Sequence, residues 1–186
     1  MEANWVLPAA LALAVLGVGS SIGSVDITTD QIESGRKDGC LQTVYRNEIG
    51  VKEATGNNDG PRVGEYLRYC GLGEGYEWCA AFVSWCHGQA GYAKPRNAWA
   101  AALFPAKRTV WTTKNRATNN TTPTRGDVFG IYMASKSRIG HCGFVDEWDA
   151  KWCITVEGNV NNAVVRKRRS VKTIRTVSRW TGAVNE

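Results

Sequence analysis

Apolar residues recur three and four positions apart in the first half of this chain, then switch to alternation in the second. In LQTVYRNEIGVKEA (Leu41–Ala54), Leu41, Val44, Tyr45, Glu48 and Ile49 share one side, which predicts a helix that Gly50 stops. Thr55 to Gly60 is a turn cluster. Asp59 as a cap and Pro61 near the first helical position predict a second helix, carrying Val63, Tyr66, Leu67 and Cys70 and ending at Gly71. From Cys79, the spacing of Ala80, Phe82, Val83, Cys86 and Ala90 predicts a third helix, closed by Gly91. A shorter one is expected over Asn97–Phe104. Beyond Gly126 the pattern is that of strands: DVFGIYM (Asp127–Met133), HCGFVDEWD (His141–Asp149) and WCITVEGNV (Trp152–Val160). The turn at Asp149–Lys151 is short enough to pair the last two as a hairpin. VVRKRRS and KTIRTVSRW make one or two more strands. Helices first and an antiparallel sheet second is an α+β order.

Composition adds one domain and an address. The 186 residues are 43% hydrophobic and include eight tryptophans, enough for a real core. Residues 1–24 read apart from the rest, because Trp5 to Ser24 carries no charge. A cleaved signal peptide is the first reading and a membrane anchor the second, although Glu2 stands where a signal has positive charge. Gly17, Gly19 and Gly23 argue against a buried helix. Residues 25–186 are then one domain, secreted, periplasmic or held at the cell envelope. The polar stretch TTKNRATNNTTPTRG contains glycosylation sequons at Asn119 and Asn120, without meaning in a bacterial source.

The net charge of +6 sits largely in Val164–Trp180, which has no acidic residue. This is read first as a solvated face of edge strands and second as attraction to a polyanion. Without zinc-finger spacing or an RNA-binding signature, nucleic acid is a poor candidate and an anionic wall polymer a better one. The six cysteines form no C-x-x-C pair, so a structural zinc is not expected, and some thiols should be buried and unpaired.

Candidate chemistry centres on Cys79. It stands where a glycine-rich loop gives way to a helix, so free N–H groups and the positive helix end favour its thiolate. Cys86 is two turns on, beyond both effects. Of the two histidines, His87 lies roughly 12 Å along the same helix and cannot serve Cys79; it reads as a surface or capping residue. His141 opens a strand and is the base by elimination. The hairpin puts His141 across from Glu157 to Asn159, and either Glu157 or Asn159 can orient its ring. Tyr76 and Trp78 beside the nucleophile line a substrate groove or belong to the core.

GYEWCAAFVSWC, RGDVFGIY, IGHCGFVDEW and VEGNVN together resemble the CHAP amidase family, relatives of the NlpC/P60 and papain-like cysteine peptidases. The similarity runs from about Cys40 to Trp180, and EIGVKEATGNNDGPRVGEYL resembles the start of bacterial CHAP-like proteins. The resemblance implies a papain-like, NlpC/P60-like α+β fold and hydrolysis of an amide bond in peptidoglycan. It implies Cys79, His141, Glu157 and Asn159 as the catalytic set, Asp127 as structural, and no metal or other cofactor. Some relatives bind calcium near an acidic loop, of which Asn57–Asp59 is only a thin version. The expected partner is peptidoglycan, met by a monomer, with room for an inhibitor or immunity protein. The competing readings are a catalytically silent wall-binding module, and a cysteine hydrolase or acyltransferase with a non-wall substrate.

Overall fold

The computed structural model describes residues 28–113 and 121–182. The segment Trp5–Ser24 and the sequon asparagines Asn119 and Asn120 lie outside the described residues. Among the described residues no helix is long and apolar enough to cross a membrane.

Three α-helices precede the main sheet strands: α1 (Thr29–Asn47), α2 (Pro61–Tyr69) and α3 (Cys79–Gln89). The strands are β1 (Thr109–Thr112), β2 (Val128–Met133), β3 (Arg138–Trp148), β4 (Trp152–Val160), β5 (Ala163–Ser170) and β6 (Thr176–Ser178). They form one antiparallel sheet in the order β1-β6-β2-β3-β4-β5. The expected α+β fold is the one observed.

The differences from expectation have local causes. α1 begins twelve residues before Leu41, because Thr28 and Gln31 close a capping box. Its first half has no apolar stripe and stands in solvent, so periodicity could not reveal it. The helix expected over Asn97–Phe104 shrinks to a 3-10 turn at Ala100–Leu103. β1 went unread because only Val110 and Trp111 are strongly apolar in it; it pairs with β6 across a break in register.

α3 lies on β3 and β4, and its buried Ala80, Phe82, Val83 and Cys86 join Leu41, Tyr66, Leu67 and Phe144 in the main core. A smaller cluster, with Phe129, Val145, Cys153 and Val177, fills the opposite face of the sheet. Helix and sheet approach closely at Gly158: a Cβ there would stand 2.7 Å from Trp78 Cζ3 and 2.9 Å from Phe82 Cβ. α1 is tied to β3 by Asp146, whose buried carboxylate accepts from the Tyr45 hydroxyl at 3.0 Å and from Arg46 at 2.9 Å through two nitrogens. Arg166 of β5 completes that cluster at 2.9 Å. Asp127 is likewise structural, gripped by Arg179 at 2.8 Å through both Nε and Nη2.

One expectation about a single residue is corrected. His87 is wholly buried: its Nδ1 meets the Val83 carbonyl at 2.8 Å, its ring stacks 5.4 Å from Phe144, and its Nε2 has no partner. Burial pushes its pKa down to about 4, so it is a neutral core residue and not a cap. The six cysteines are all free thiols.

Candidate active site

Cys79 is the first residue of α3, and Trp78 before it offers no side-chain cap. The first intrahelical bond of this end runs from Phe82 N–H to the Trp78 carbonyl at 2.8 Å. The N–H groups of the first turn are therefore not consumed by a cap, and they point toward the thiol's surroundings. Trp78 instead anchors the helix start. Its ring is wholly buried, 5.6 Å from that of Tyr66, and its Nε1–H donates to Glu53 Oε1 at 2.8 Å. Trp78 belongs to the core, because the turn into the helix directs its ring inward. It is not a groove residue.

His141 Nε2–H donates to Glu157 Oε2 at 2.8 Å, which leaves Nδ1 for the Cys79 thiol, with which the ring also hydrogen-bonds. Burial opposes charge on this imidazole, but the contacts with Cys79 and Glu157 win and raise its pKa to about 9. Cys79 moves the other way. The Cys142 thiol hydrogen-bonds it, burial works against the charge, and His141 adds a hydrogen bond and positive charge, so its pKa falls well below the thiol range. Burial pushes the thiols of Cys70, Cys86, Cys142 and Cys153 up instead. A thiolate paired with an imidazolium is a nucleophile with its proton donor already in place.

Glu157 is fully buried and belongs to a larger cluster than the hairpin alone suggests. Arg169 of β5 grips it from behind, Nε to Oε1 and Nη2 to Oε2, each at 2.5 Å. The Thr155 hydroxyl donates to Oε1 as well. Burial favours the neutral acid, yet His141, Arg169 and Thr155 together hold the pKa down at about 2. Sequence reasoning placed Arg169 on a solvated face with its basic neighbours. One signal was there: β5 register sets Arg169 opposite Cys153 and Val165 opposite Glu157, so Arg169 shares its face with Thr155 and Glu157.

Asn159 does not reach the His141 ring. Its backbone is left-handed, with φ of 60°, and its side-chain amide donates to Asn58 Oδ1 at 3.2 Å. Asn58 in turn accepts from Gly75 N–H at 2.9 Å through its carbonyl and donates its own N–H to Glu53 at 2.9 Å. Asn159 thus ties β4 to the loops leading into Cys79. Of the two orienting candidates, Glu157 alone bonds the imidazole.

A cavity of about 620 Å³ opens beside the loop that precedes Cys79. Tyr76, Glu77, Arg96, Asn97 and Trp99 line it, and Tyr76 and Trp99 are more than half exposed. Among the described residues no cluster of three or more His, Cys, Asp or Glu side chains is arranged to hold a metal ion.

Residues 71–159 match the family model of the CHAP domain. Just under half of the chain is thus similar to the CHAP domain. Cys79, His141, Glu157 and Asn159 fall inside the matched span, whereas Arg169 lies beyond its end. Among solved structures, the chain is similar to that described as the X-ray crystal structure of PlyC, at 12% identity and a TM-score of 0.45, over 88% of this chain and 43% of that one. It is also similar to Ly7917, at 15% identity and 0.41, over 78% of this chain and 63% of the other. A third is the resuscitation promoting factor interacting protein RipA, at 10% and 0.45, over 82% and 65%. The chain thus spans between two fifths and two thirds of the length of these proteins. No curated protein matches it.

Proposed function

We propose that this protein hydrolyses an amide bond of the stem or cross-bridge peptide of peptidoglycan, as an N-acetylmuramoyl-L-alanine amidase or endopeptidase. The observation that carries the proposal is a thiol at an uncapped helix start, hydrogen-bonded to an imidazole whose far nitrogen is held 2.8 Å from a buried carboxylate. The CHAP match supplies the substrate class.

In this reading the Cys79 thiolate attacks the amide carbonyl, and the first-turn N–H groups of α3 receive the oxyanion. His141 protonates the leaving amine, then takes a proton from water to release the acyl-enzyme. Glu157 holds the ring and stabilises the imidazolium. Tyr76 and Trp99 supply apolar faces for the substrate beside the nucleophile. Residues 1–24 act as an export segment, which brings the enzyme to a substrate outside the cytoplasm.

Digestion of purified peptidoglycan by the wild type and by Cys79→Ala, followed by mass analysis of soluble fragments, tests this. New amine ends released by the wild type alone are expected, and they name the bond. Tight binding to the wall without any product, across several wall chemotypes, would replace the proposal with a silent wall-binding module.

A further inference from the structure

Four charged groups form one line through the site: the Cys79 thiolate, the His141 imidazolium, the Glu157 carboxylate and the Arg169 guanidinium. Their signs alternate, so the line as a whole is neutral. The last link is the tightest in geometry, a fork of two parallel N–H···O bonds at 2.5 Å. Glu157 has no access to water, and the Arg169 side chain is only 18% exposed. Phe129 shields both ends of this segment: its ring lies 5.8 Å from the Arg169 guanidinium and 6.3 Å from the His141 ring.

We infer that Arg169 is a positioning residue of the active site, which keeps Glu157 ionised and aimed at His141 and so sets the acid end of the pH range in which the nucleophile is armed. The inference rests on the thiol-hydrolase reading of Cys79.

The physical argument concerns an isolated buried charge. A carboxylate withdrawn from water and facing only one imidazolium takes up a proton readily. The other groups around Glu157 do not replace Arg169. From its own strand, Thr155 donates one neutral hydrogen bond. Cys142 of β3 and Cys153 of β4 are close enough to feel its charge, but burial keeps both as neutral thiols. Arg169 is therefore the cation that balances Glu157 independently of the state of His141. Once Glu157 is protonated, it no longer stabilises the imidazolium, and Cys79 loses the charge that holds it as thiolate. The other arginines nearby are engaged elsewhere: Arg166 with Asp146 and Glu147, and Arg168 against the Trp152 ring at 3.9 Å.

The test compares wild type, Arg169→Met and Arg169→Lys in the full chain. The rate at which iodoacetamide alkylates Cys79 is followed against pH by peptide mapping, in parallel with peptidoglycan hydrolysis. In Arg169→Met the acid limb of both profiles should move up by at least about one pH unit, the usual effect of losing an opposite charge beside a carboxylate. Arg169→Lys keeps the charge but not the fork, and should recover part of that shift. Folded Arg169→Met with the wild-type acid limb would overturn the inference and leave Arg169 a stabilising residue only. Should Arg169→Met fail to fold, Arg169→Lys decides: an upward shift supports the inference, and a profile superimposable on the wild type overturns it. If the wild type hydrolyses no peptidoglycan, the substrate reading fails, while the alkylation profiles still judge Arg169.

Discussion

The Cys142 thiol of β3 donates a hydrogen bond to the Cys79 sulfur at the start of α3. Cys142 is the residue after His141, so a single stretch of β3 brings both the imidazole and a neutral donor to the same sulfur. The donor stabilises the charged form of Cys79 without adding charge.

Replacing Cys142 should therefore weaken Cys79 as an acid. Cys142→Ala is expected to slow alkylation of Cys79 at about pH 6 by ~10-fold or more, since a hydrogen bond to a charged group is worth ~1.5–3 kcal/mol. Cys142→Ser, which keeps a donor, should stay close to wild type. Equal rates in all three proteins would remove Cys142 from the account.

The basic side of the pH profile belongs to His141. Its raised pKa means that the imidazolium persists until the pH climbs through about 9. Hydrolysis should fall across that value, because the leaving amine loses its proton donor. Alkylation of Cys79 needs no proton donor and should not fall with it. Hydrolysis that stays level to pH values well above 9 would contradict this assignment.

Acid stability follows from Glu157. Its pKa is depressed in the folded state to about 2 from an ordinary 4.5, so its contribution is complete above 4.5 and is lost as the pH drops toward 2. The full shift corresponds to ~3 kcal/mol as an upper value. Denaturation of wild type and Glu157→Gln at a series of pH values would measure it. The stability curve of Glu157→Gln should be flatter in this window; parallel curves would assign the loss to other carboxylates.

Trp78 and Gly158 are a pair in contact, and each should be intolerant for its own reason. Trp78→Ala empties the space under the helix start and should cost ~3–5 kcal/mol of stability. Gly158→Ala drives a methyl group to 2.7 Å from the Trp78 ring, and such overpacking costs ~1–3 kcal/mol. Thermal or urea denaturation reads both. A neutral Gly158→Ala would show that α3 can lift from the sheet without penalty.

Tyr76 and Trp99 line the cavity beside the loop that precedes Cys79. Tyr76→Ala and Trp99→Ala should each raise KM on peptidoglycan by ~10-fold, the scale of a lost aromatic contact. The rate of Cys79 alkylation should not change. An unchanged KM would move the substrate away from this cavity.

What could be read from the sequence depended on whether one short segment dictated the position. The start of α3 was legible because a loop, a periodic run and a closing glycine bracket Cys79. The meeting of His141 with Glu157 was legible because a tight hairpin fixes which residues oppose one another. Choosing between Glu157 and Asn159 was not, since the choice turns on a left-handed backbone at Asn159 that breaks the alternation. The fate of Trp78 depended on which way one ring swings at a helix boundary, and small changes of backbone angle decide that. Arg169 was hidden in VVRKRRS, where basic residues look alike until strand register separates those facing Asp146, Trp152 and Glu157.

The arginine clamp on Glu157 arrives late along the polypeptide, from the strand at the sheet's margin. A nascent chain that has emerged only as far as Val160 already owns its sulfur, its imidazole and its carboxylate, yet that carboxylate faces a single cation, the imidazolium of His141. That second cation arrives only when the closing hairpin docks, so a half-made or clipped copy lacks the fork behind its carboxylate.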